Sequence, residues 1–306
     1  IDLWVITEGM AGTENQCLGV AQALGIQPEV KRIDLTFPWN VLSPFLGFEK
    51  AHSFTPTLKA PWPDLVIASG RKAIAACRFI KKQSKGKTKI VFLQDPRVKA
   101  DEFDLVAVPH HDKLRGENVI VTDGAPNKIN QKMLEEAKKE FSPAFSRMKS
   151  PRVAVLIGGN SKTHQLTEKT TKKLCDELNA LDGSLMITAS RRTGEENQKI
   201  IQNECDKPQN FIWNGNGNNP YLGMLAWADF ILVTSDSTSM ISDAATTGKP
   251  VHVIPLEGSS PKFDRFYSHL KSKNLIRDFE GKLENWDYTA LNDSEKVAQA
   301  IKRSRS

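Results

Sequence analysis

The densest group of residues able to do chemistry is Thr234, Ser235, Asp236, Ser237, Thr238 and Ser239, five hydroxyls and one carboxylate in a row. They follow the apolar run FILV at 230–233, which reads as a buried strand, and precede a stretch of helical periodicity. Hydroxyls and free N–H groups at a helix start can hold a phosphate. Asp236 or Asp243 can take a ribose hydroxyl, and Asn219, Tyr221 and Met240 belong to the same segment, 214–255. Ser237 reads equally as a helix N-cap. No GxSxG elbow surrounds these serines, which argues against nucleophilic hydrolysis. A second cluster, VAVLIGGNSK, sets Gly158, Gly159, Asn160 and Ser161 after a strand with Lys162 close behind. That composition suits a diphosphate or, as an alternative, a turn followed by a capped helix. A third is Ser190-Arg191-Arg192-Thr193 at another strand end, where a planar guanidinium offers a fork to phosphate or carboxylate.

The N-terminal half carries its own candidates. TEGMAGTENQ at 7–16 places Gly9 and Gly12, then Glu14, Asn15 and Gln16, between a strand and a helix. The glycines allow a tight turn and close approach of a ligand, but the pattern is neither GxGxxG nor a Walker loop. Gly70 with Arg71, Asp95 with Arg97, and His111 with Asp112 each follow a predicted strand, as does Gly124. His111 beside Asp112 could be an oriented base or an inert pair, and Glu14 is a rival base.

Two series of short Val- and Ile-rich runs must position these residues. Strands are predicted at 2–6, 30–35, 65–69, 89–94, 105–109 and 118–123, then at 153–158, 185–190, 210–213, 230–235 and 251–255. Helices are predicted at 14–24, 71–83, 127–140, 165–181, 194–205, 220–227, 238–247, 262–271 and 294–304. Strand–helix alternation is the signature of parallel sheets. The expectation is an α/β chain of two doubly wound Rossmann-like domains facing a cleft, 1–145 and 152–285, divided at the Pro- and Ser-containing stretch 141–152.

At 306 residues the chain is long enough for two cores. With 39% hydrophobic and 25% charged residues it is neither collagen, coiled coil nor disordered. The four cysteines show no CxxC spacing, so no structural zinc or disulfide framework is expected, and a reducing, cytoplasmic setting is the simplest. The apolar runs are too short to span a bilayer, and no signal peptide is visible in the strand-like opening on Ile1, although a longer natural N-terminus could have been removed.

The motifs TEGMAGTENQ, PDLVIASGR, LQDPR, FDLVAVPHHD, LIGGNSK, TASRRT, NPYLGMLAWAD and VTSDSTSMISDAATTGKPV, spread over nearly the whole chain, resemble the mitochondrial fission family named for elongated mitochondria in plants. Glu8 and Met10 stand where an Asp and an Arg are expected in that family's first loop. The family in turn resembles glycosyltransferases of the GT-B class. That likeness implies an N-terminal acceptor domain, a C-terminal domain for a nucleotide sugar, and a final helix, 290–306, packing back on the first domain. It also implies that Asp243 grips the ribose, and that no metal or other cofactor is needed beyond the nucleotide-sugar donor. The alternative is a non-catalytic scaffold that recruits fission machinery to a membrane.

Residues 71–99 carry ten basic side chains and one acidic, which suits an anionic membrane surface. The segment 37–63 adds five prolines, Trp39 and Trp62, and the aromatics Phe45, Phe48 and Phe54, expected to be exposed, so it is either a packed lid or a membrane-dipping loop beside residues 71–89. No nucleic-acid recognition motif accompanies the basic residues. The sequence leaves the oligomeric state open.

Overall fold

The structure, a computed structural model, describes residues 1–305. The chain runs β1 (Leu3–Thr7), α1 (Ala11–Leu24), β2 (Glu29–Arg32), β3 (Asp34–Leu35), α2 (Trp39–Leu42), β4 (Phe54–Thr55), β5 (Leu65–Ser69), α3 (Arg71–Gln83), β6 (Lys89–Leu93), β7 (Leu105–Pro109) and β8 (Val119–Thr122). It continues through α4 (Gln131–Glu140), α5 (Ser142–Phe145), β9 (Arg152–Ile157), α6 (Glu168–Asn179), β10 (Ser184–Ala189), α7 (Glu195–Cys205), β11 (Phe211–Ile212) and α8 (Tyr221–Trp227). It ends with β12 (Phe230–Thr234), α9 (Thr238–Thr246), β13 (Val251–Ile254), α10 (Pro261–Ser272), β14 (Arg277–Asp278) and α11 (Asp293–Arg305). Two units result: Ile1–Lys128 together with the chain from Asn292, and Ile129–Leu291.

The first unit is built on a parallel sheet in the order β2-β1-β5-β6-β7-β8. Every residue of β1, β5 and β7 is buried, as a parallel sheet covered on both faces requires. On one face Ile74, Phe79 and Ile80 of α3 pack on Ile6, Val66 and Phe92. On the other, Cys17 and Val20 of α1 and Val297 and Ile301 of α11 pack on Val5, Leu65 and Ile67. The start of α11 is clasped to the chain after β8. The Asp293 carboxylate accepts the N–H groups of Asp123 (3.0 Å) and Gly124 (2.8 Å), and Ser294 Oγ accepts from Asn127 N (3.0 Å) and donates to Asn127 O (2.7 Å). Burial pushes the Asp293 carboxyl up, and the two N–H donors oppose that rise.

The second unit has the order β11-β10-β9-β12-β13-β14, again parallel throughout. Leu174, Leu178 and Ile201 of α6 and α7 cover one face. Met224 and Leu225 of α8 cover the other, together with Leu134 and Ala137 of α4 and Phe145 of α5. Residues 129–145 therefore belong to this unit, which corrects the boundary expected at 141–152. Ser142 and Pro143 open α5 instead of a linker, and composition alone does not say whose core the preceding helix fills.

Part of the segment 37–63 packs on its own unit. Trp62 packs on Trp4 and Phe79, and Trp39 Nε1 donates to Gly47 O at 3.2 Å. Phe54, expected among the exposed aromatics, is 2% exposed because β4 pairs antiparallel with β3 and turns its ring into the core. Phe37, Phe45 and Phe48 are 78%, 82% and 88% exposed.

Candidate functional site

In the second unit the strand order reverses direction between β9 and β12, the switch point at which open α/β sheets bind ligands. The loops leaving these two strands hold Gly158–Ser161 and Ser235–Ser239, and the 3-10 turn Arg191–Thr193 follows the neighbouring β10. The three segments interlock. Thr234 Oγ1 accepts the Gly158 N–H (2.7 Å), while the Ser190 and Thr193 hydroxyls donate to Gly158 O (3.1 and 2.5 Å). Asn160 N–H donates to Arg192 O at 2.9 Å. At the centre lies the Asp236 carboxylate, fully enclosed, with Arg192 Nη2 2.7 Å from its Oδ2. The Gly159 N–H donates to the same oxygen at 3.0 Å. A Cβ at Gly158 would collide with this carboxylate, so only glycine admits it.

The remaining residues of the glycine loop cap the loop itself. Asn160 Oδ1 accepts the Leu166 N–H (2.9 Å), and Ser161 Oγ accepts those of Thr163 (3.3 Å) and His164 (3.1 Å). Lys162 and Arg191 are exposed. No helix starts directly after the glycines, because α6 begins only at Glu168. The helix start available at the switch point is that of α9, where Ser237 Oγ accepts the Met240 N–H at 3.2 Å. Thr238, Ser239 and Met240 line its first turn, half-buried. Ser235 Oγ instead accepts the Leu256 N–H at 3.0 Å. Asn219 Oδ1 accepts the Tyr221 N–H (3.0 Å), and the Tyr221 hydroxyl donates to Asp243 Oδ2 (2.8 Å). Burial, reinforced by that carboxylate, pushes the Tyr221 hydroxyl well above its ordinary value.

Sequence reasoning missed two features here. His164 is 1% exposed, with Nδ1 2.9 Å from Thr163 Oγ1 and its ring edge-on to Phe263. Burial holds its imidazole below the usual value, with the Asp236 carboxylate opposing and Arg192 reinforcing the shift. A single histidine in a polar loop has no spacing partner, so nothing in the sequence marks it. The other is a groove at the carboxyl ends of β10 and β11, lined by Ile187, Ala189, Gln198, Trp213 and Asn214.

In the first unit the switch point falls between β1 and β5. Gly9, Gly12 and Asn15 are exposed there, Gly12 in the first turn of α1 and Asn15 just after it. Glu8 lies against Gly70, leaving no room for a Cβ. Glu14 is held by Arg32 through both oxygens, at 2.8 and 2.6 Å, and accepts from Thr7 Oγ1 at 3.2 Å. The Arg32 hydrogen bonds keep its carboxyl below the ordinary value against the effect of burial, which makes it a weaker base. The Gln94 amide donates to Gln16 Oε1 at 3.4 Å, and Asp95 accepts the Arg97 N–H at 2.8 Å. Arg71 donates to the carbonyls of Ser43 and Asn40 and so braces the 37–48 segment. His111 and Asp112 are buried, with Nε2 4.0 Å from Oδ1, beyond hydrogen-bond reach. Among the described residues, no group of His, Cys, Asp and Glu is placed to hold a metal ion, and all four cysteines are free and buried.

Residues 11–304 match the family described as Mitochondrial fission ELM1. The chain belongs to that family. The Mitochondrial fission protein ELM1 of Arabidopsis thaliana is 29% identical across 98% of this chain and 90% of its own length. Among solved structures the fold is similar to MurG of Acinetobacter baumannii (TM-score 0.51, 14% identity, 99% of this chain and 90% of that one). It is also similar to the UDP-GlcNAc 2-epimerase of Methanocaldococcus jannaschii in complex with UDP-GlcNAc and UDP (TM-score 0.54, 11% identity, 99% and 100%). This family member therefore consists of two Rossmann-like units of the GT-B-like fold, a fold shared by glycosyltransferases and epimerases.

Proposed function

We propose that the chain binds the nucleoside diphosphate of a nucleotide sugar at the β9–β12 switch point and transfers the sugar to an acceptor hydroxyl. The carrying observation is the convergence there of Arg192, the Gly159 N–H and the start of α9. In this reading Asp243 with Tyr221 meets the ribose, and Trp213 in the neighbouring groove meets the base. The acceptor oxygen bonds to the anomeric carbon as the bond from that carbon to the diphosphate breaks. The acceptor's proton passes to a general base as that bond forms; Glu14, committed to Arg32, is ill suited to the role. Thermal shift and calorimetry with UDP, ADP, GDP and their sugars test the binding step. A ligand at 100 times its Kd stabilises by about 2.7 kcal/mol. Arg192→Gln should weaken the one nucleotide that binds, and no shift with any nucleotide at millimolar concentration removes the proposal.

A second reading, membrane contact through the first unit, is favoured by Phe37, Val41, Leu42, Phe45 and Phe48. These are five of the seven large hydrophobic side chains exposed among the described residues. Among those residues no helix is long and apolar enough to cross a membrane, so the contact would be peripheral. The apolar side chains carry it more than charge does, because several basic residues near them are already paired. Lys72 binds Asp34, Arg78 binds Glu102, and Lys81 and Lys89 share Asp104. Such a surface suits a scaffold in membrane fission as well as an enzyme with a lipid-borne acceptor. Co-sedimentation with phosphatidylcholine vesicles containing phosphatidylserine should fall on replacing Phe37, Phe45 and Phe48 with Ser. Equal recovery in the supernatant with and without vesicles contradicts this reading.

A further inference from the structure

The Asp236 carboxylate stands in the middle of the proposed phosphate site. Asp236 Oδ2 already takes the two donors best placed for a ligand phosphate, the Arg192 guanidinium at 2.7 Å and the Gly159 N–H at 3.0 Å. Its other oxygen, Oδ1, is buried without a hydrogen-bond partner. The carboxylate is thus held through one oxygen only, and a buried charged oxygen without a donor is costly. Arg192 itself is 42% exposed, so its guanidinium is reachable from solvent while Asp236 is not. Two anions cannot share one guanidinium and one N–H without strong mutual repulsion.

We propose that Asp236 is a resident anion of this site, occupying the phosphate donors until a diphosphate displaces it from Arg192 and Gly159. The inference rests on the donor-site reading above and adds a specificity rule. Displacing the carboxylate raises the threshold for every anion, so small phosphates are rejected and only a ligand with further contacts, such as a nucleoside, is retained. Removing the resident charge lowers that threshold for all of them.

The test is calorimetric titration of inorganic pyrophosphate and of UDP into the wild type, Asp236→Asn and Asp236→Asn/Arg192→Gln. Asn is isosteric and still offers Gly159 an acceptor. Asp236→Asn should bind pyrophosphate at least tenfold more tightly than the wild type, and the added Arg192→Gln should abolish the gain. Asp236→Ser, smaller and equally uncharged, repeats the comparison if circular dichroism shows the Asn variant misfolded. Pyrophosphate binding that is unchanged or weaker in the uncharged variants overturns the proposal, and UDP binding to the wild type would still uphold the donor site. A gain for pyrophosphate without binding of UDP or any other nucleotide upholds the resident anion and removes the nucleotide reading.

Discussion

His252 on β13 is fully buried among Phe230, Phe279 and Trp286, and its Nε2 accepts the Glu284 N–H at 3.0 Å. Burial pushes the imidazole down to about 4, partly opposed by Glu284. The folded chain therefore keeps His252 neutral at pH values where the unfolded chain, near 6.5, has protonated it. Its contribution is complete above pH 6.5 and is lost as pH falls toward 4, at up to about 1.4 kcal/mol per pH unit. Urea unfolding between pH 7.5 and 4.5 should show this slope, and His252→Gln should flatten it; an unchanged slope in the variant contradicts the assignment. Arginines illustrate what a sequence does and does not reveal at this scale. Arg71 and Arg192 both follow strands and both read as candidate ligand-binding residues. Their partners, Ser43 O and Asp236, lie 28 and 44 positions away in sequence, and no local pattern distinguishes them. Arg71→Gln should raise hydrogen exchange across 40–46 by about fivefold or more, since exposed loop bonds open locally, and leave nucleotide binding unchanged. Loss of nucleotide binding would return Arg71 to the ligand set.

At the scale of elements, α11 and α9 carry distinct risks. Ile301 is 1% exposed against Val5 and Ile67, so Ile301→Ala should cost about 2–5 kcal/mol in urea unfolding. A loss under 1 kcal/mol would mean that α11 does not contribute to that core. Ser237→Ala removes the α9 N-cap and should cost about 1 kcal/mol, with Ser237→Gly losing only a few tenths. The longer elements were legible because parallel strands buried on both faces read as continuous apolar runs. β5, β7 and α3 match the predicted spans end for end. β4 and β14, two residues each, and α2 and α5, four each, were not. β11 is just as short yet lies inside the predicted span 210–213, so brevity alone does not hide an element, and those missed are held in place by neighbouring chain. Arg71 and Arg78 grip the carbonyls of 40–44 in this way around α2.

At the scale of the whole molecule, a nucleotide sugar seated at the β9–β12 switch point must order the loops of the second unit. The common place of Gly158, Arg192 and Asp236 at the carboxyl ends of predicted strands groups them from sequence alone, whereas their mutual hydrogen bonds, with a carboxylate where an outside anion is expected, lie beyond any sequence pattern. The most direct measurement is hydrogen–deuterium exchange with and without a saturating nucleotide sugar, read peptide by peptide. Protection of 156–166, 188–194 and 232–242, with no comparable change across 1–128, is the expected result. Protection confined to the first unit, or none anywhere at millimolar ligand, would contradict a donor site at Gly158, Arg192 and the start of α9.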